Sequence, residues 1–308
     1  MYRGYDFISH GTRIDFVGKR RVALVGSVLA VIGSILAVAF LGLNFGIDFA
    51  GGILIEARTD GTLGELRAKL NALDVGEVEL QGVVGDDNTV ILRLQQSDDA
   101  TEVTQNAVLA KVRAPLGETV EIRRTELVGP KVGRELIESG AWATGLAILA
   151  IAAYVWFRFE WQFGLGGMFA LLHDVVTTIG LFAVTRMEFN LTSVAALLTI
   201  AGYSINDSVV VYDRVRENLR KYKKMPLTDL LNLSTNETLS RTVLTSGTTA
   251  LVVGALLAFG GDVLQGFAVA MLWGLVVGTY SSIYIGVPVL LYFNVLRGGE
   301  EADRQAVP

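Results

Sequence analysis

The sequence predicts a membrane α-helical bundle of six transmembrane helices with one α+β domain inserted after the first. Three observations predict it. Mean hydropathy is +0.47 and charged residues make up only 19% of the chain, against roughly 25% in soluble proteins. Six apolar runs reach, or nearly reach, the roughly 20 residues that cross a bilayer. One polar stretch, residues 44–137, separates the first run from the other five. The same numbers exclude other classes. A hydrophobic content of 51% excludes intrinsic disorder. A net charge of −5 and a pI near 5.2 argue against a nucleic-acid partner. The 308 residues include no Cys, which removes disulfides, Cys-based zinc sites, iron–sulfur clusters and Cys nucleophiles. With two His, no metal site is expected, and no cofactor.

The six runs are 22–43, 141–157, 163–185, 191–212, 243–260 and 267–293. Residues 1–21 and 294–308 are then tails, and 138–293 form the bundle of spans two to six. The first run has a second reading. Lys19-Arg20-Arg21, an apolar run and Ala37-Val38-Ala39 resemble a secretory signal with a cleavage site. The run is longer than a usual signal core and continues through Gly52 without a change of character, which favours an uncleaved helix.

Lys and Arg in short loops set orientation. The first tail carries Arg3, Arg13, Lys19, Arg20 and Arg21, and residues 213–242 carry Arg214, Arg216, Arg220, Lys221, Lys223, Lys224 and Arg241. The short loops on the opposite side hold Arg186 alone. Both termini and a basic loop at 213–242 are therefore expected in the cytoplasm, and residues 44–137 on the outer side. The basic stretch 214–224 reads equally as a helix on the anionic leaflet or as a bare topology signal.

In the polar domain, runs at 53–58, 77–84, 90–95 and 120–127 read as strands. Leu63, Leu66, Leu70 and Leu73 recur at helical spacing, as do Val103, Ala107, Val108 and Val112. Thr62 and Glu65 fit a capping box. Gly85-Asp86-Asp87-Asn88 fits a hairpin turn. The order βαββαβ suggests a ferredoxin-like fold, which decides no function by itself.

Ionisable residues inside a span are costly and mark candidate sites. Asp207 lies in the fourth run, with Tyr203 one turn before it and Asn206 and Ser208 beside it. A buried carboxyl that exchanges a cation for an apolar surrounding can load and release a proton. The competing reading is a polar group that only fixes helix packing. His173 and Asp174, in the third run, divide evenly between those readings. Asp213 reaches the interface. Arg241, just before the fifth run, reads as a snorkelling anchor, although its stem could reach Asp207. The sixth run carries Ala270, Gly274, Gly278, Ser282 and Gly286, a small residue at every fourth position, which implies a close helix partner. Pro288 is placed to kink this run.

Several of these residues match a known family. Phe45-Gly46-Ile47-Asp48-Phe49-Ala50-Gly51-Gly52 resembles the GxDFxGG motif of the SecF proteins, the smaller subunits of the SecD–SecF protein-translocation complex. Val128-Gly129-Pro130-Lys131-Val132-Gly133 resembles their second motif, and His173-Asp174 their third. The stretch 200–218, containing Tyr203-Ser204-Ile205-Asn206-Asp207-Ser208 and Asp213, is similar to their fourth at nearly every position. Leu239-Ser240-Arg241-Thr242 and Gly278-Thr279-Tyr280-Ser281-Ser282 resemble the fifth and sixth. The likeness runs in order over residues 14–296.

The resemblance implies half of an RND-type transporter in the bacterial inner membrane, with a SecD partner supplying the other half. It implies use of proton flow, or alternatively Na⁺, to assist export of unfolded polypeptide through the SecYEG channel. It implies that Asp207 and Arg241 form the proton relay on this chain, with an acid on SecD as the missing member. Gly46, Asp48, Gly51, Gly52, Gly129, Pro130 and Gly133 would shape the junction of domain and membrane, the glycines by permitting tight turns. Three rivals stand beside this. An RND-type small-molecule exporter would need an aromatic-rich outer cleft, yet residues 44–137 hold only Phe45 and Phe49. An intramembrane hydrolase would use Asp174 and Asp207 on one wet cavity. A purely structural subunit would have no ion path.

Overall fold

The computed structural model describes residues 12–59, 63–71, 73, 78–83, 86–94, 107–112 and 120–293. In chain order the elements are α1 (Arg20–Leu41), β1 (Asn44–Phe45), α2 (Ile47–Ala50), β2 (Gly52–Thr59), α3 (Leu63–Asn71), β3 (Val78–Val83) and β4 (Asp86–Leu94). A helical stretch at 107–112 (α4) follows. Then come β5 (Val120–Val128), α5 (Pro130–Arg158), α6 (Trp161–Thr185), β6 (Glu188–Phe189), α7 (Leu191–Lys221), α8 (Leu227–Phe259) and α9 (Asp262–Ser281). A π turn (Ser282–Gly286), α10 (Val287–Val289) and a 3₁₀ turn (Leu290–Tyr292) close the described chain. Two compact units result: Met1–Leu43, Thr144–Met187 and Ala195–Pro308 form one, and Asn44–Ala143 with Glu188–Val194 the other.

Among the described residues, six helices are long and apolar enough to span a membrane: Arg20–Leu41, Lys131–Arg158, Trp161–Thr185, Leu191–Lys221, Leu227–Phe259 and Leu264–Tyr292. Each overlaps one of the six expected runs, and the second and fifth begin well before theirs. The expected basic loop at 213–242 is corrected. α7 continues to Lys221 and α8 starts at Leu227. Apolar residues at helical spacing explain this. Val211, Val215 and Leu219 of α7 and Leu230 and Leu231 of α8 share one buried cluster with Val17 and Val287. Hydropathy registers where a helix stops suiting lipid, not where it stops. At about 1.5 Å per residue, the 33 residues of α8 outreach a hydrocarbon core about 30 Å thick.

The chain before α1 is tied to this extension of α8. Asn232 Oδ1 accepts the N–H groups of Phe16 and Val17, and its amide donates to Asp15 Oδ1 at 2.8 Å. Asn236 Oδ1 accepts the Ile14 N–H, and its amide donates to the Ile14 carbonyl. Hydrogen bonds from the Gly18 N–H and the Asn232 amide hold the Asp15 carboxyl below the usual carboxylate range. A lowered carboxyl stabilises the fold above its unfolded value and loses that contribution as pH falls through the folded one. Asn232→Ala leaves two N–H groups of a buried segment without their acceptor, which costs about 1–3 kcal/mol. Limited trypsinolysis at neutral pH checks it: cleavage at Lys19–Arg21 should accelerate in Asn232→Ala.

The small-residue stripe of α9 now has a partner, α7. A methyl on Gly274 would collide with the Ile200 side chain, and one on Gly286 would lie 2.7 Å from the Tyr212 hydroxyl. The expected kink at Pro288 takes the form of the π turn. Proline offers no N–H to the carbonyl four residues back and its ring crowds that carbonyl, so the preceding turn opens wider.

In the other unit, β2 is the centre of an antiparallel sheet with strand order β3-β4-β2-β5. Period-two alternation puts Ile53, Ile55 and Ala57 of β2 and Val90, Leu92 and Leu94 of β4 on one face. There they bury against Leu66 and Leu70 of α3 and Leu109 and Val112 of α4. Of the residues expected in the hairpin turn, Asp86–Asn88 already belong to β4, and Val83 pairs with Asp86. The capping box at Thr62 and the helix start at 101–106 lie outside the described residues.

Candidate functional site

Asp207 sits in the middle of α7 and is 6% exposed. Thr242 Oγ1 of α8 donates to its Oδ1 at 2.7 Å, and Ser282 Oγ donates to its Oδ2. Arg241 is a residue away from that threonine. It is exposed, lies well inside α8 rather than at a helix start, and makes no side-chain hydrogen bond or ion pair among the described residues. Its charge acts on Asp207 at a distance. The contact expected between Asp207 and Arg241 is thus electrostatic only, with Thr242 in the place of direct partner.

Asp174, fully buried, forms a second centre. Its Oδ2 accepts from Ser204 of α7 at 2.6 Å and from Ser281 of α9 at 2.7 Å. Its Oδ1 lies 2.9 Å from His173 Nδ1. The two centres therefore meet neighbouring residues of one helix, Ser281 and Ser282. Tyr203 belongs to this polar seam: its hydroxyl donates to Ser246 of α8, which is bonded in turn to Thr279 of α9 at 2.8 Å.

Other expected site residues separate from it. Asn206 is exposed, since 100° per residue turns it away from the face that holds Asp207. Asp213 is exposed on α7, two turns before its end, and pairs with Arg158 at 3.3 Å. It lines an open polar cavity of about 560 Å³ with Arg158, Arg216, Glu217, Arg220 and Lys221. Ser208 is fully buried, and its hydroxyl has no partner among the described residues.

The glycine motifs build a different feature, in the unit of the sheet. α2 lies between Gly46 and the pair Gly51-Gly52, whose φ values of 73° and 124° need glycine. Phe49 packs with Phe45 and Phe189, and the Asp48 carboxylate accepts the Leu191 N–H that starts α7, at 3.0 Å. Gly46, Gly129 and Gly133 have no left-handed φ; the Gly46 and Gly129 carbonyls close turns on the N–H groups of Phe49 and Gly133 in a backbone that does not require glycine. Gly133 serves close approach: a methyl on it would lie 2.6 Å from the Phe49 carbonyl oxygen. Pro130 opens α5, where a missing N–H breaks no helical bond. Nearby, Arg93 pairs with Glu188. Burial pushes the Glu188 carboxyl up, against the pull of that guanidinium.

Sequence reasoning gave no role to Ser246, none beyond membership of a motif to Thr242, Thr279 and Ser281, and only a packing role to Ser282. The signal was present as hydroxyls at 279, 281 and 282 in an apolar run, but their direction was not.

The arrangement resembles known proteins at every level. The family described as protein export membrane protein SecD/SecF, C-terminal, matches residues 108–295, and the SecD/SecF GG motif matches residues 36–62. A protein translocase subunit SecF from Cereibacter sphaeroides is 45% identical over 306 residues, covering 96% of this chain and 94% of that protein. One from Rickettsia conorii is 46% identical over 283 residues, covering 91% of each. The crystal structure of SecDF from Thermus thermophilus, a translocon-associated membrane protein, superposes with a TM-score of 0.80 at 35% identity. It covers 92% of this chain, which spans 39% of the length of that one. A structure of SecDF in a super-membrane-facing form gives a TM-score of 0.67 at 34% identity, covering 98% of this chain and 41% of that one.

Proposed function

This chain belongs to the SecD/SecF family of protein-export membrane proteins, and we propose that it is the SecF-type half of a SecD–SecF unit in the bacterial inner membrane. In this reading it pairs with SecD and uses the proton-motive force to assist export of unfolded preproteins through SecYEG. It is a multi-pass membrane protein. Both termini are cytoplasmic, and the unit of the sheet is periplasmic and ferredoxin-like, a reading supported by its βαββαβ order and central β2. Its role is transport without catalytic chemistry of its own. The small-molecule exporter is not favoured, because the relatives above are named protein translocase subunits.

The observation that carries the reading is Asp207. It is a carboxylate buried at mid-span, held by two neutral hydroxyls, within reach of a single guanidinium charge. Such a group can occupy two states. Ionised, it accepts from both hydroxyls and is drawn to Arg241. Protonated, it must donate through one oxygen, so a bond to Thr242 or Ser282 turns around and the attraction lapses. A charge crossing 100 mV supplies about 2.3 kcal/mol, and a unit of pH gradient about 1.4 kcal/mol. That is enough to bias a two-state helix arrangement. Asp174 and His173 fix the neighbouring helices, and an acid on SecD completes the relay.

The test is preprotein export into vesicles holding this chain, SecD and SecYEG, under an imposed pH gradient or an equal Na⁺ gradient. The pH gradient should stimulate export and the Na⁺ gradient should not. Stimulation by Na⁺ alone would replace the coupling ion, and stimulation by neither would remove the ion-driven reading.

A further inference from the structure

Four consecutive residues of α9 and its π turn each bind a different helix. Thr279 Oγ1 meets Ser246 of α8 at 2.8 Å. The Tyr280 hydroxyl donates to the Ala23 carbonyl of α1 at 2.8 Å and accepts from Ser27 of the same helix at 2.9 Å. Ser281 donates to Asp174 of α6 at 2.7 Å, and Ser282 donates to Asp207 of α7. Successive side chains leave a helix about 100° apart, so four of them sweep a full turn. This is available only to a helix at the middle of its bundle, and α9 is the most buried of the six spans. The run also ends where the α-helix does: Ser282 opens the π turn, a wider and less regular backbone of the kind found at functional sites.

We propose that residues 279–282 are the positioning element that passes a change at Asp207 to α1. The proposal rests on the proton-relay reading of Asp207 and names the route by which it acts. Ser282 is bonded to the carboxylate and to the Thr279 carbonyl. Protonation of Asp207 reverses or releases the first of these bonds. The π turn lets the end of α9 rotate in response, which draws Tyr280 away from Ala23 and Ser27. Ser27 is the one buried residue of α1, so this contact is a polar hold of the bundle on that helix, beside its packing against α6. α1 is covalently continuous, through Gly42 and Leu43, with the other unit. The titratable and charged groups facing the run are Asp207 of α7, His173 and Asp174 of α6, and Arg241 of α8 by its charge on Asp207. The His173 and Tyr284 rings flank Tyr280, with centroids at 6.0 and 5.2 Å. Loss of its hydroxyl alone therefore leaves its packing in place.

The experiment uses the complete chain with SecD and SecYEG in proteoliposomes, and variants Tyr280→Phe, Ser27→Ala and Asp207→Asn. Export with and without a pH gradient and proton flux are read separately. Because the chain has no Cys, spin labels at Val25→Cys in α1 and Val276→Cys in α9 report their separation cleanly as a function of pH. Tyr280→Phe removes both hydrogen bonds to α1 and should lower gradient-dependent export by at least about fivefold, the weight of one net hydrogen bond. Export without a gradient and proton flux should persist, and the pH-dependent change in label separation should vanish. Ser27→Ala, which removes one of these two bonds from the side of α1 and leaves the one to the Ala23 carbonyl, should act in the same direction and more weakly. Full gradient dependence and an unchanged label response in both variants, with Asp207→Asn inactive, would overturn the coupling route and leave the relay standing. Full gradient dependence in Asp207→Asn would overturn both.

Discussion

Asp207→Asn is expected to abolish the gradient-dependent part of protein export while the complex stays assembled. The side chains are nearly isosteric. Asparagine keeps one acceptor oxygen, and the Thr242 and Ser282 hydroxyls can rotate to accept from its amide. The polar contacts seen around Asp207 can therefore be remade, and stability should change by no more than about 1 kcal/mol. What is lost is titration, and with it any change in the pull of Arg241. Export into inverted vesicles, compared at matched levels of this chain and SecD, checks the result. Asp207→Glu should recover part of the gradient dependence, because it restores a titratable group at the cost of one extra methylene among buried neighbours. A packing role predicts the reverse order: Asn tolerated, Glu disruptive. The pair of variants thus separates a proton carrier from a polar spacer.

Gly133→Ala is expected to destabilise the chain by about 1–3 kcal/mol, the usual range for overpacking, and to lower the amount of folded protein. The methyl would lie 2.6 Å from the Phe49 carbonyl oxygen and 3.1 Å from its carbonyl carbon. Both are backbone atoms of a helical turn fixed by Gly51 and Gly52 at positive φ and by the packing of Phe49 with Phe45 and Phe189. No flexible side chain can move aside. Gly129→Ala is the control, because nothing lies within 4 Å of the position its methyl would take. Thermal unfolding of the purified proteins in detergent should show a clear loss for Gly133→Ala and almost none for Gly129→Ala. Equal melting temperatures would show that α5 can shift away from α2 without penalty.

The contrast between these two glycines marks how far the sequence could be read. Both stand in one short motif, and a likeness to a family treats them alike. Only the approach of α2 to α5 tells them apart. Arg241 makes the same point. Its neighbours in sequence suggested a helix start and an interfacial anchor, since the apolar run begins only at residue 243. The helix had in fact begun at Leu227, because Leu230 and Leu231 bury against Val215 and Leu219 of α7. A pattern of buried residues spread over two extended helices does not register as a continuous apolar run.

Composition and the length of the apolar runs by themselves determined six spans and one inserted domain, because a bilayer imposes both. They also located the ionisable groups that a bilayer penalises, at His173, Asp174 and Asp207, and alternation gave the strands of the domain. The tertiary structure alone decided which face of each helix turns inward. In lipid an outward Leu and an inward Leu are equally apolar, so hydropathy carries no mark of the difference. That choice set Asp207 inside and Asn206 outside, although they are neighbours in sequence. It put Thr242 rather than Arg241 on the carboxylate. It gathered Thr279, Tyr280, Ser281 and Ser282 into one turn that meets four helices, because leaving a hydroxyl unpaired, as that of Ser208 is among the described residues, is costly where no water can supply a partner.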